Sequence, residues 1–122
     1  RLRDAARDSV PPPARFLVKH GHSLLVLPEE QILYFRSEHS LSRAVCARQS
    51  YWLDPSLNDL EARLDPQRFF RAARETLLQL RAVSEVQARP GGMGVALMSN
   101  GDRLDVSRRR FRALLAALDG RS

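Results

Sequence analysis

Short apolar runs, each closed by turn-forming residues, constrain this chain more than any other feature. Phe16-Leu17-Val18, Leu24-Leu25-Val26-Leu27, Ile32-Leu33-Tyr34-Phe35, Arg43-Ala44-Val45-Cys46-Ala47 and Tyr51-Trp52-Leu53 have strand length and strand composition. Gly21, Pro28-Glu29-Glu30 and the polar Glu38-His39-Ser40 separate them. Phe69-Phe70, Leu77-Leu78, Val83 to Val86 and Val95 to Met98 add further strand-like segments, with Pro90-Gly91-Gly92 as another turn. Runs this short and this often interrupted cannot carry long amphipathic helices, so the pattern predicts a mainly β domain.

Two helices punctuate the strands. The first opens at Asp54-Pro55-Ser56, either with Asp54 as cap and Pro55 at the first helical position, or with Ser56 capping and Asp59 three residues on. Leu57, Leu60 and Leu64 form its buried stripe, and Asp65-Pro66 ends it. The second follows Asn100-Gly101, a dipeptide suited to a type I′ hairpin turn, and a strand in which Leu104 and Val106 alternate with Arg103 and Asp105. Ser107 stands at the helix start with a capping hydroxyl, Phe111, Leu114, Leu115 and Leu118 make a stripe, and Asp119-Gly120 ends the element.

The first turn of that last helix holds Arg108, Arg109 and Arg110, with Arg112 close behind. A helix N-terminus carries roughly half a positive charge, so acids belong there and cations are mildly unfavourable. Solvated surface arginines would be the plain reading of such a run. Unpaired backbone N–H groups beside guanidinium forks, however, suit phosphate oxygens and base edges. Charge is also segregated: residues 66–112 hold ten basic and four acidic residues, which is the whole of the chain's formal +6.

At 122 residues and 43% hydrophobic, the chain suffices for one domain with a real core. No apolar run approaches the roughly 20 residues that cross a bilayer, and no leader pattern is present, so a cytoplasmic protein is expected. The lone Cys46 cannot form an internal disulfide and reads as a buried, inert strand thiol. The chain opens on Arg1 rather than Met, as a fragment of a longer polypeptide would. Residues 1–14, charged and then closed by Pro11-Pro12-Pro13, read as an interdomain linker or the end of a preceding module. The domain proper is expected over 15–119, with a short tail at 120–122.

Taken in order, these segments resemble the LytTR family of bacterial DNA-binding domains. The resemblance spans roughly Phe16 to Leu118. Phe69-Phe70-Arg71-Ala72-Ala73-Arg74-Glu75-Thr76-Leu77-Leu78 is similar to the family's phenylalanine-arginine-histidine-arginine segment, and Leu104-Asp105-Val106-Ser107-Arg108-Arg109 to its terminal serine-arginine segment. Ser56-Leu57-Asn58-Asp59-Leu60-Glu61 and Ile32-Leu33-Tyr34-Phe35 match two further landmarks. The resemblance implies an elongated stack of short antiparallel β-sheets with one short central helix and a C-terminal helix. It also implies DNA binding through three loops that reach successive major grooves. By that resemblance the DNA-binding residues are His39, Ser42 and Arg43, then Arg71 and Arg74, then Ser107, Arg108 and Arg109, with Arg74 and Arg109 on base edges. Ala73 replaces the family's histidine, Glu75 a small polar residue, and Gln79 lies near a usual asparagine. Glu75 is expected to weaken DNA binding unless it pairs with Arg71 or Arg74.

Other chemistry is poorly represented. His20-Gly21-His22 could begin a metal site, but neither Cys46 nor His39 lies at a spacing that would complete one. Gly91-Gly92-Met93-Gly94 lacks the Gly-Lys-Ser/Thr of a phosphate loop. Glu29 with Glu30, and Asp59 with Glu61, read as solvated faces rather than acid–base pairs. The sequence thus implies no enzyme, cofactor or metal. Its expected partners are double-stranded DNA with repeated half-sites, an N-terminal receiver or sensory module, and a second copy on DNA. The rival reading is a protein-interaction module of the same fold that grips an acidic partner; RNA readers would expose more stacking aromatics.

Overall fold

A computed structural model describes residues 12–119. The linker assigned to 1–14 therefore lies largely outside the described residues, as does the tail at 120–122. Ten strands and two α-helices follow in the order β1 (Arg15–His20), β2 (Ser23–Pro28), β3 (Tyr34–Glu38), β4 (Leu41–Val45), β5 (Ser50–Leu53), α1 (Leu57–Arg63), β6 (Phe69–Ala73), β7 (Thr76–Gln79), β8 (Val83–Ala88), β9 (Gly94–Met98), β10 (Arg103–Val106) and α2 (Arg108–Leu118). They form three antiparallel sheets: the β1–β2 hairpin, a central sheet in the order β5-β4-β3-β7-β6, and β10-β9-β8.

The central sheet is buried on both faces. Successive side chains of a strand point to opposite sides, so adjacent apolar residues serve two different cores. Phe35, Ala44, Phe69 and Leu77 join Phe16, Val18 and the α1 residues Leu57 and Leu60 on one side. Tyr34, Val45, Phe70 and Leu78 join Met98, Leu104, Val106 and Leu114 on the other. This is why Tyr34-Phe35, Phe69-Phe70 and Leu77-Leu78 are apolar pairs rather than alternations. β3 starts two residues later than the apolar run, at Tyr34; before it, Leu33 bonds the Val45 carbonyl and the Gln79 N–H through its backbone, and the Ile32 carbonyl accepts from the Gln79 side-chain amide at 2.6 Å.

Local chemistry decides the turns and caps. Ser56 caps α1, accepting from the Asp59 N–H at 3.1 Å, so the Asp54-Pro55 alternative is not the one used. Ser107 occupies the start of α2, but its hydroxyl makes no capping bond. The type I′ geometry expected at Asn100-Gly101 is found elsewhere. There, the Gly101 N–H bonds the Met98 carbonyl at 2.9 Å and only Gly101 takes positive φ, +95°, a type I turn closed by a left-handed glycine. The two-residue turn with both φ values positive is His39-Ser40, at +52° and +69°, between the paired Glu38 and Leu41.

Two sequence expectations change on burial. Glu29 is not solvated: it is 2% exposed, receives the Ala14 N–H at 2.7 Å and pairs with Arg68 Nε at 2.6 Å. Asp65 Oδ2 accepts from Arg68 Nη1 at 3.1 Å, so Arg68 is held between two carboxylates. Cys46 lies one residue beyond β4 and is half-buried, and that burial pushes its thiol pKa up. His20 packs edge-on against Tyr51 at 5.9 Å.

α2 packs on the third sheet through Phe111, whose ring lies over Gly94 so closely that a Cβ there would overlap it. Gly94→Ala should therefore cost roughly 1–3 kcal/mol by overpacking, read as a shifted urea midpoint. Tyr34 ties the central sheet to loop 99–102 by donating to Asp102 Oδ2 at 2.8 Å. Burial first, then the Asp102 bond and charge, push its pKa up to about 12. The folded-state pKa is raised, so this contribution to stability is complete below the ordinary value near pH 10 and is lost as pH climbs toward 12. Urea titrations across that interval should show a steeper loss for the parent chain than for Tyr34→Phe.

Candidate nucleic-acid interface

Three connections meet at one end of the central sheet. β3 pairs with β4 on one side and β7 on the other, which places the His39-Ser40 turn and the β6–β7 turn side by side, roughly two strand spacings or 10 Å apart. The Ser37 N–H bonds the Glu75 carbonyl at 3.0 Å and locks that arrangement. The start of α2 is fixed to the same end by the Ser107 N–H, which donates to the Ala72 carbonyl at 3.0 Å. Hydrogen bonds between main chains thus hold all three connections in one line.

The arginines along this line have different duties. Arg71 Nε donates to the Ala73 carbonyl at 3.1 Å, Nη1 to Asn58 Oδ1 at 2.9 Å and to Glu61 Oε1 at 2.8 Å, and Nη2 to the Arg74 carbonyl. Its fork shapes the β6–β7 turn and docks α1. Arg110 is similarly occupied: its guanidinium carbon lies 4.5 Å above the Phe70 ring and its Nε donates to the Arg71 carbonyl at 3.0 Å. Arg74, Arg108 and Arg109 are exposed, and their guanidinium groups make no hydrogen bond or ion pair among the described residues. The Arg108 stem runs along Gly92, whose φ of +81° and missing Cβ leave room for it.

The hairpin residues also divide. His39 is exposed at the apex of its turn. Ser42 is 1% exposed and its hydroxyl donates to the Pro55 carbonyl at 2.6 Å, so it braces the link before α1 and cannot touch a surface ligand. Arg43 pairs with Glu38 at 2.8 Å and approaches the Trp52 ring at 5.7 Å. Ser107 is half-buried. Glu75 is exposed, and its carboxylate pairs with neither Arg71 nor Arg74, leaving a negative charge on the β6–β7 turn. No helix among the described residues is long and apolar enough to cross a membrane.

The fold has a counterpart among known proteins. No curated protein matches the chain by sequence. A LytTr DNA-binding domain from Bacillus cereus, described as that of a methyl-accepting/DNA response regulator, superposes with a TM-score of 0.77 at 19% identity, covering 84% of this chain and 96% of that one. At that identity the likeness establishes the fold. The model of the LytTr DNA-binding domain family matches residues 22–119, from the first hairpin turn through the end of α2. That span takes in all three connections and nearly every strand beneath them, and the chain therefore belongs to the LytTr DNA-binding domain family.

Proposed function

We propose that this domain is a sequence-reading DNA-binding output module of a bacterial transcriptional regulator. It engages the major-groove side of the duplex with the His39 hairpin, the β6–β7 turn and the start of α2. The observation that carries this reading is the set of three exposed arginines, Arg74, Arg108 and Arg109, unpaired on connections that backbone hydrogen bonds hold in one line. An arginine fork meets the O6 and N7 acceptors of guanine together, worth about 1–3 kcal/mol of base discrimination, whereas a phosphate contact only positions the protein. Arg74 and Arg109 take the base edges, with Arg108 and His39 beside them. Two copies occupy repeated half-sites, and a receiver or sensory module joined through residues 1–14 supplies the signal. The unpaired Glu75 favours a second reading, in which the same arginines grip an acidic protein.

Selection from a randomised duplex pool, followed by anisotropy with a salt titration, decides between them. An enriched repeated motif and steep salt dependence are expected for the DNA reading; weak binding with no motif would transfer the surface to an acidic protein. Arg74→Ala and Arg109→Ala should each relax preference at one base position with the fold intact. Glu75→Ser should tighten duplex binding by removing a carboxylate from the phosphate path. Arg71→Ala should act differently, lowering stability by about 0.5–1.5 kcal/mol in denaturant because the Ala73 and Arg74 carbonyls of the β6–β7 turn lose their shared donor.

A further inference from the structure

One cross-strand row crosses the whole central sheet. Trp52 pairs with Arg43, Arg43 with Arg36, Arg36 with Thr76, and Thr76 with Ala73. Residues directly opposite one another share a face, so these side chains line one strip. The strip lies one rung beyond Tyr34 and Val45, which are buried in the core shared with the third sheet, and its β6 end lies beside the start of α2.

Two guanidinium groups stand opposite each other in this row, an arrangement a ladder disfavours unless something compensates it. Glu38 supplies one carboxylate, at 2.8 Å from Arg43 Nη2, and Ser50 Oγ accepts from Arg43 Nη1 at 3.4 Å. Asp102, the next carboxylate toward the core, is engaged by the Tyr34 hydroxyl at 2.8 Å and the Asn100 amide at 3.0 Å. Arg36 has no side-chain hydrogen bond or ion pair among the described residues, and the Nε atoms of Arg36 and Arg43 are both buried without an acceptor. Trp52, 50% exposed, flanks Arg43 as a planar wall. Surplus positive charge, paired forks and a flat wall together suit a tetrahedral oxyanion whose two outer oxygens can each meet one fork.

We infer that Arg36 and Arg43 seat one phosphate of a DNA backbone against Trp52, so that the duplex runs along the turn end of the sheet past the β3–β4 hairpin toward β5. This rests on the DNA-binding reading above and adds to it a contact that fixes register and carries no base information. Glu38 competes with the phosphate for Arg43 and holds that fork in place when no duplex is bound.

The test uses the whole chain with the selected duplex and a random duplex of equal length. Arg36→Ala should weaken both by the same factor, roughly three- to tenfold, and reduce the slope of log K against log salt by about 0.9, with base preference unchanged. Arg36→Lys, which keeps the charge, should retain the slope, and Glu38→Gln should tighten both complexes. Trp52 is the sole tryptophan, so its emission should shift on adding duplex to the parent chain and shift less for Arg36→Ala. A parent chain that binds duplex while Arg36→Ala leaves slope and emission change intact and Glu38→Gln has no effect would overturn the seat and leave the DNA reading standing. A parent chain that binds neither duplex would overturn both.

Discussion

Everything in this domain hangs on a central sheet that must be buried from both sides. Its apolar pairs send one side chain to the core shared with the first hairpin and α1, and the next to the core shared with the third sheet and α2. A one-residue slip in any ladder would exchange these sets and place residues shaped for one core into the other, so register is specified twice over. The turns at the end of the sheet inherit that specification. His39, Arg74 and the start of α2 stand in line because the strands beneath them cannot shift, and the Ser37–Glu75 and Ser107–Ala72 bonds carry the alignment out to the loops.

The arginine-rich stretch shows how little a charge total says about a surface. Within residues 66–112, Arg68 lies between the buried carboxylates Glu29 and Asp65, Arg71 braces a turn, and Arg110 spreads over Phe70. Each replaces solvent with fixed acceptors or a ring face, so their charges are spent on architecture. Arg74, Arg108 and Arg109 sit a few positions away in sequence and face outward. The difference lies in the local backbone: Arg71 points back under a turn whose carbonyls it can reach, whereas Arg74 is carried on that turn.

Much of the fold was legible because apolar runs and turn-formers report burial directly. The mainly β class, both helices, the stripe of α1 and the order of elements all follow from periodicity and punctuation. The errors arose where tertiary partners override local preference. Asn100-Gly101 is an excellent type I′ dipeptide, yet the longer loop lets Asn100 accept from the Asp102 N–H at 3.0 Å, and the tight turn falls to His39-Ser40, which lacks glycine. Glu29 looks solvated beside Glu30 because its partner Arg68 is distant in sequence. Ser42 and Arg71 occupy positions that the family resemblance assigns to DNA, and their hydrogen bonds to the Pro55 and Ala73 carbonyls give them a bracing duty that no local pattern announces. Arg36 gave no signal by itself, although a two-residue turn at 39–40 fixes Arg36 opposite Arg43 by simple counting.

The backbone bonds from Ser37 to Glu75 and from Ser107 to Ala72 have a consequence for how the interface ages with the molecule. Loops tied in this way lose their conformational entropy when the chain folds, and a ligand meeting them has little left to organise. The same ties deny the recognition edge any melting of its own. The Ser37 and Ser107 amides, held by carbonyls of neighbouring elements, are therefore expected to exchange with solvent only when those elements part.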